Sequence, residues 1–145
     1  MGEFNSAIHL LHAQGAMVTG ASSGLGRATA LALAQAGANV ALLARRKDEL
    51  ANAAAQIETF GGRALVLPVD LAQENEIIAA TRQTAEEFGR IDVLVNAAGT
   101  DVPAPVVDLT IEDWDRVLAI NLRASFALAK AVFPVHATDR TGNHY

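Results

Sequence analysis

The sequence predicts an α/β fold in three layers, a parallel sheet with helices on both faces. Three observations carry this. Short apolar, β-branched segments alternate with longer segments of helical period, which is the pattern of successive βαβ units. A glycine-rich turn, Gly20 to Gly26, lies between the first strand-like and the first helix-like segment. Further glycines, Gly37, Gly61-Gly62 and Gly89, stand where the helical periods end, as left-handed helix caps do.

The elements follow in order. Residues 16–19 make a short first strand, and after the turn Ala28, Leu31, Ala32 and Gln35 keep helical spacing. Residues 39–44 read as a second, buried strand. Leu50, Ala54 and Ile57 then line one face of a second helix, and residues 64–69 make a third strand. A third helix spans about 73–88 with Ile77, Ala80, Thr84 and Phe88 among its apolar positions, and residues 91–95 give a fourth strand. Pro103 and Pro105 forbid regular helix and imply an extended loop from 99 to 109. Thr110 then caps a long helix: Thr110 and Asp113 have capping-box spacing, and Leu109 can pack on Trp114 as a hydrophobic staple. That helix is expected to run to Phe133 and stop at Pro134. Right-handed crossovers wind the strands into the order 3-2-1-4. Residues 1–14 read as a leader or extension, 15–135 as one partial domain and 136–145 as a polar tail from which no fifth strand can be built.

Composition excludes several functions. The chain has 145 residues, about half of them apolar, which suits one core rather than two domains. Its net charge of −5 disfavours nucleic acid, whose phosphates require clustered Lys and Arg. Cysteine is absent, so disulfides and thiolate metal sites are excluded. His9 and His12 could share a helical face but have no companion at ligand spacing, so no metal site is expected. Apolar runs fall short of the ~20 residues that span a bilayer, and the start of the chain lacks the basic residues of a signal peptide. A cytoplasmic protein away from membranes is the expectation.

The strongest chemical signal is Thr19-Gly20-Ala21-Ser22-Ser23-Gly24-Leu25-Gly26. Glycines in a strand-to-helix turn let the backbone approach a pyrophosphate, and the free N–H groups at the helix mouth favour its charge. The end of the second strand bears on the cofactor. A carboxylate there would hold ribose hydroxyls, whereas the chain reads Ala44-Arg45-Arg46-Lys47, cations suited to a 2′-phosphate, so NADP(H) is favoured over NAD(H).

With its Thr-Gly-x-x-x-Gly-x-Gly turn, and with Asp70, Asn96-Ala97-Ala98-Gly99 and Asp113 to Leu122 following in order, the sequence resembles the short-chain dehydrogenase/reductase family from about Ala16 to Pro134. The resemblance implies a Rossmann-like fold. It places Asp70, with Leu71 beside it, at the adenine, Asn96, Ala97, Ala98 and Gly99 along the cofactor, and Asn121 in the catalytic tetrad. Ala97 replaces an Asn of the fuller motif, and Gly15 stands where the first strand is usually apolar. The family's Ser and Tyr-x-x-x-Lys are not matched: the one tyrosine, Tyr145, is the last residue, and Ser125 and Lys130 fall in the long helix beside Asn121. An isolated tyrosine with a pKa of about 10 is a poor base at neutral pH, so the chemistry needs that coupled Lys. The resemblance therefore implies the NADP(H)-binding, amino-terminal half of an oxidoreductase for carbonyls or alcohols, without turnover as this chain. The alternative is a non-catalytic module that self-associates through the edge of the fourth strand and the apolar face of the 110–133 helix, where Leu118, Leu122 and Phe126 lie.

Overall fold

A computed structural model describes residues 10–137. Strands β1 (Gly15–Thr19), β2 (Asn39–Ala44), β3 (Arg63–Pro68) and β4 (Val93–Val95) form one parallel sheet in the order β3-β2-β1-β4. Helices α1 (Gly24–Gln35), α2 (Lys47–Thr59) and α3 (Glu74–Phe88) connect successive strands. The fold class and strand order are those the sequence predicts.

Because side chains alternate along a strand, the central strands feed two separate cores. Ala16, Val18, Val40 and Leu42 pack with Ala30, Ala34, Leu50 and Ile57 of α1 and α2. On the opposite face Met17, Ala41 and Leu43 pack with Ile77 and Ala80 of α3 and with Ala124, Leu128 and Val132 of the last helix. The buried line of α1 is Gly26, Ala30 and Ala34, whereas Ala28 and Ala32 face out. Alanine on every side gives no contrast from which to read a face.

Strand β1 begins at Gly15, and glycine is a requirement there. A Cβ would lie 2.0 Å from the Arg90 carbonyl oxygen. The same contact pins the start of β4. The Gly15 N–H donates to Asp92 Oδ2 at 2.9 Å, and the Asp92 N–H donates to the Gly15 carbonyl at 2.7 Å. Ahead of β1, the Leu11 N–H donates to Ala36 O at 3.0 Å and the Gln14 carbonyl accepts from Asn39 at 2.8 Å, so residues 11–14 are tied to the α1–β2 junction. Residues 1–9 and 138–145, with most of the expected leader and tail and with Tyr145, lie outside the described residues.

The carboxy-terminal helical arm corrects two expectations. Thr110 caps α4 (Ile111–Leu118) with the anticipated capping box: its Oγ1 accepts from the Asp113 N–H at 3.1 Å, and its N–H donates to Asp113 Oδ2 at 3.2 Å. A π turn, Ala119–Arg123, then follows before α5 (Ala124–Ala137). The sequence gives no warning of that turn. Nor does Pro134 stop the helix: α5 carries it internally and continues to Ala137, taking in His136 of the expected tail. Proline deprives the Lys130 carbonyl of its helical donor. The last turn is held instead by buried Val132 and by His136, whose Nδ1 lies 3.0 Å from the Ile91 carbonyl oxygen. Residues Ile111–His136 also form a continuous 26-residue helical stretch long and apolar enough to cross a membrane, although charges near its start keep it from being an uninterrupted apolar run. Here its Ala124, Leu128 and Val132 are buried against the sheet.

Candidate functional site

At the carboxyl ends of the strands, the four following turns converge on a cleft of about 980 Å³. A parallel sheet opens such a crevice where β1 and β4 diverge to helices on opposite faces. Gly20, Ser22, Ser23, Gly24, Leu25, Gly26, Arg45, Arg46, Asp70, Leu71, Ala97, Ala98 and Gly99 all line it. The expected residues are thus brought together from four separate turns.

The glycine turn is built by close approach of backbones. A Cβ on Gly20 would lie 2.8 Å from the Ala97 carbonyl oxygen, and one on Gly26 would lie 2.3 Å from that of Gly20. Gly20 (φ +66°) and Gly24 (φ +54°) occupy the left-handed region, and a Cβ at Gly24 would meet nothing within 4 Å. The turn is therefore packed tightly behind and open in front, at the amino end of α1. Thr19 is buried beneath it. Its Oγ1 donates to the Val95 carbonyl at 3.3 Å and accepts from the N–H groups of Ala97 and Ala98 at 3.1 and 3.2 Å, stitching the β1 turn to the β4 turn.

Arg46 lies across the mouth of the turn, donating from Nη2 to Ser22 Oγ at 3.1 Å and to Ser23 Oγ at 3.0 Å. The planar guanidinium is thereby oriented, and among the described residues its other nitrogens have no partner that would keep them from an anion. Asp70 closes the third turn. Its Oδ1 accepts from the Ala72 N–H at 2.9 Å, and its own N–H donates to Glu76 Oε2 at 2.7 Å. Asn121 sits in the π turn, its carboxamide clamped on the backbone of Thr100: Oδ1 accepts from Thr100 N–H at 2.8 Å and Nδ2 donates to Thr100 O at 2.9 Å. A mid-helix Asn here satisfies a neighbouring loop, and π turns recur at functional sites because they re-aim side chains. Neither Asn96 nor Asn121 is itself among the residues lining the cleft.

The fourth wall was not read from the sequence. Asp115, Arg116, Ala119, Ile120 and Arg123 line the cleft from the long helical arm, and Thr100, Ala44, Val69 and Ala72 complete it. Spacings of three and four along residues 115–123 fit one helical face, but nothing local says which face meets the cleft. With Arg45, Arg46, Arg116 and Arg123 against Asp70 and Asp115, the cleft is cationic in a chain of net charge −5. Arg116 is partly offset by Asp113 at 3.1 Å.

A parallel sheet with a glycine turn at the head of α1 and cations beside it defines the class of nucleotide-binding α/β proteins. The family model for short chain dehydrogenases matches residues 14–143, and the chain belongs to that family. A 3-oxoacyl-[acyl-carrier-protein] reductase of Synechocystis sp. is 38% identical over 133 residues, covering 91% of this chain and 54% of that protein. Among solved structures, a metagenomic short-chain oxidoreductase in complex with NADP superposes with a TM-score of 0.85 at 36% identity, over 89% of this chain and 59% of its own. The L-sorbose reductase of Gluconobacter frateurii, complexed with NADPH and L-sorbose, gives 0.85 at 33% identity, over 89% and 49%. The chain spans about half the length of the curated relatives it matches.

Proposed function

We propose that this chain is the NADP(H)-binding part of a short-chain oxidoreductase acting on a carbonyl or alcohol. The observation that carries the reading is the glycine turn, where backbones pack too closely for a side chain at Gly20 or Gly26 while the front of Gly24 stays open. That shape fits a diphosphate and the N–H groups that would hold it. Asp70 and Leu71 flank the adenine, Arg45 and Arg46 receive the 2′-phosphate, and Ala97, Ala98 and Gly99 follow the cofactor toward its reactive ring. When bound, the dinucleotide supplies a hydride. Asn121 fixes the Thr100 loop beside it, but a carboxamide neither donates a hydride nor protonates a carbonyl. These 145 residues on their own accordingly bind cofactor without turnover. NADP-bound and NADPH-bound relatives support the dinucleotide, and Arg46 supports the preference for the extra phosphate.

Calorimetric titration of the chain tests this. NADPH should bind about tenfold more tightly than NADH at low salt, and Arg46→Ala should remove most of that difference, since charge-assisted bonds contribute roughly 1.5–3 kcal/mol before screening. Equal affinity for the two cofactors in the unsubstituted chain would refute the preference, and absence of binding to both would refute the reading.

A second reading, a self-associating module, is favoured by two observations. Leu122, Phe126 and Phe133 are exposed along one helical arm, and among the described residues β4 pairs only with β1.

A further inference from the structure

We propose that Arg123 is a positioning residue for the adenine end of the cleft, acting through the carbonyl of Ala72. The proposal rests on the dinucleotide reading above. Arg123 leaves the π turn and donates from Nη2 to Ala72 O at 3.0 Å, a bond that spans the cleft between residues 51 apart in sequence. Its target is the loop carrying Asp70 and Leu71. That loop is already fixed on two sides: the Val69 N–H donates to the Ala44 carbonyl at 2.9 Å, and the Asp70 N–H donates to Glu76 Oε2 at 2.7 Å. The two loop residues so held, Val69 and Asp70, precede Ala72, and after it the Gln73 N–H donates to the Asp70 carbonyl at 3.0 Å. Within the loop, the Ala72 N–H donates to Asp70 Oδ1 at 2.9 Å, so whatever holds Ala72 also sets the orientation of that carboxylate. Arg123 supplies that hold from the opposite wall.

The π turn makes the bond reachable. An inserted residue shifts the helical face, and it does so between Leu118 and Ala124 while α5 keeps Ala124 and Leu128 buried on the sheet. The same five residues send Asn121 to the Thr100 backbone and Arg123 to the Ala72 backbone. One distorted turn thus braces the loops after β4 and after β3 together. A guanidinium suits the task because it keeps its charge and offers several donors from a rigid plane, so one can bind Ala72 while the group still lines the cleft.

The test uses the full chain with two probes, adenosine 2′,5′-bisphosphate for the adenine end and pyrophosphate for the glycine turn. Arg123→Ala should weaken the bisphosphate about three- to tenfold, the range of one hydrogen bond, and weaken pyrophosphate by a clearly smaller factor, that of losing one cation from the cleft. Arg123→Lys, which keeps the charge and a donor, should recover most of that loss, and amide exchange should quicken at residues 70–73 in the alanine variant alone. If the alanine variant binds the bisphosphate as well as the parent chain does, the brace is wrong. It is equally wrong if pyrophosphate weakens by the same factor, or if lysine rescues nothing. Should the parent chain bind neither NADPH nor the bisphosphate, the dinucleotide reading itself falls, an outcome distinct from those three.

Discussion

A methyl group added at Gly15 would meet the Arg90 carbonyl oxygen at 2.0 Å, with no flexible side chain to move aside, so β1 and the approach to β4 would have to separate. Gly15→Ala should cost about 3 kcal/mol, read as a lowered urea midpoint, whereas Gly61→Ala, at φ +78° but facing open space, should cost only about 1 kcal/mol. The same corner carries a pH dependence. The Arg90 guanidinium, bonded to Asp92 at 2.6 and 2.7 Å, holds that carboxyl below its ordinary 3.8 against the opposing effect of burial, with the Gly15 N–H and His136 adding to the depression. A carboxylate depressed in the folded state contributes stability that is complete well above 3.8 and fades as the pH falls through its folded value. Asp92→Asn should therefore lower the thermal midpoint at neutral pH and shrink that loss progressively below pH 4 in a melting series. At this scale the glycine turn, Arg45, Arg46 and Asp70 were legible because each lies next to a strand end visible in the sequence. Arg123 was not, since its reach depends on a π register that no local pattern announces.

Strands proved easier to read than helix faces. Residues 39–44 were bounded as found, because a run of apolar residues flanked by glycine and by charge has one reading in a parallel sheet. In α1 the alanines on both faces erased the contrast, and in α5 the rule that proline ends a helix failed. The proline survives because it is exposed and sits only one turn from the end, where few helical bonds remain to be lost. Its missing N–H still leaves the Lys130 carbonyl without a helical donor. Pro134→Ala should restore that bond and stabilise the chain by about 1–2 kcal/mol, the helical penalty of proline less the entropy it removes from the unfolded chain. A higher denaturant midpoint with an unchanged slope is the expected signature, and a lower midpoint would mean that Pro134 itself is needed to seat Val132 and His136.

For the molecule as a whole, the expected self-association can be judged from the face that the helical arm leaves uncovered. Of the expected apolar face, Leu118 is half-buried, but Leu122 and Phe126 are 65% and 69% exposed, and Phe133, 64% exposed, continues the same side about two turns later. Such a row exceeds the scattered apolar residues normal for a surface, and a second copy presenting the same face could bury it around a two-fold axis. Sedimentation of the chain at about 100 μM should then give roughly twice the monomer mass of 15.2 kDa. Leu122→Glu with Phe126→Glu should return it to the monomer without altering its helical circular dichroism, because neither side chain supports the core and each charge would be desolvated in the paired state. If the double variant remains dimeric, the contact lies elsewhere, and the side of β4 that no strand pairs with among the described residues becomes the surface to test, by placing a lysine or proline within Val93–Val95.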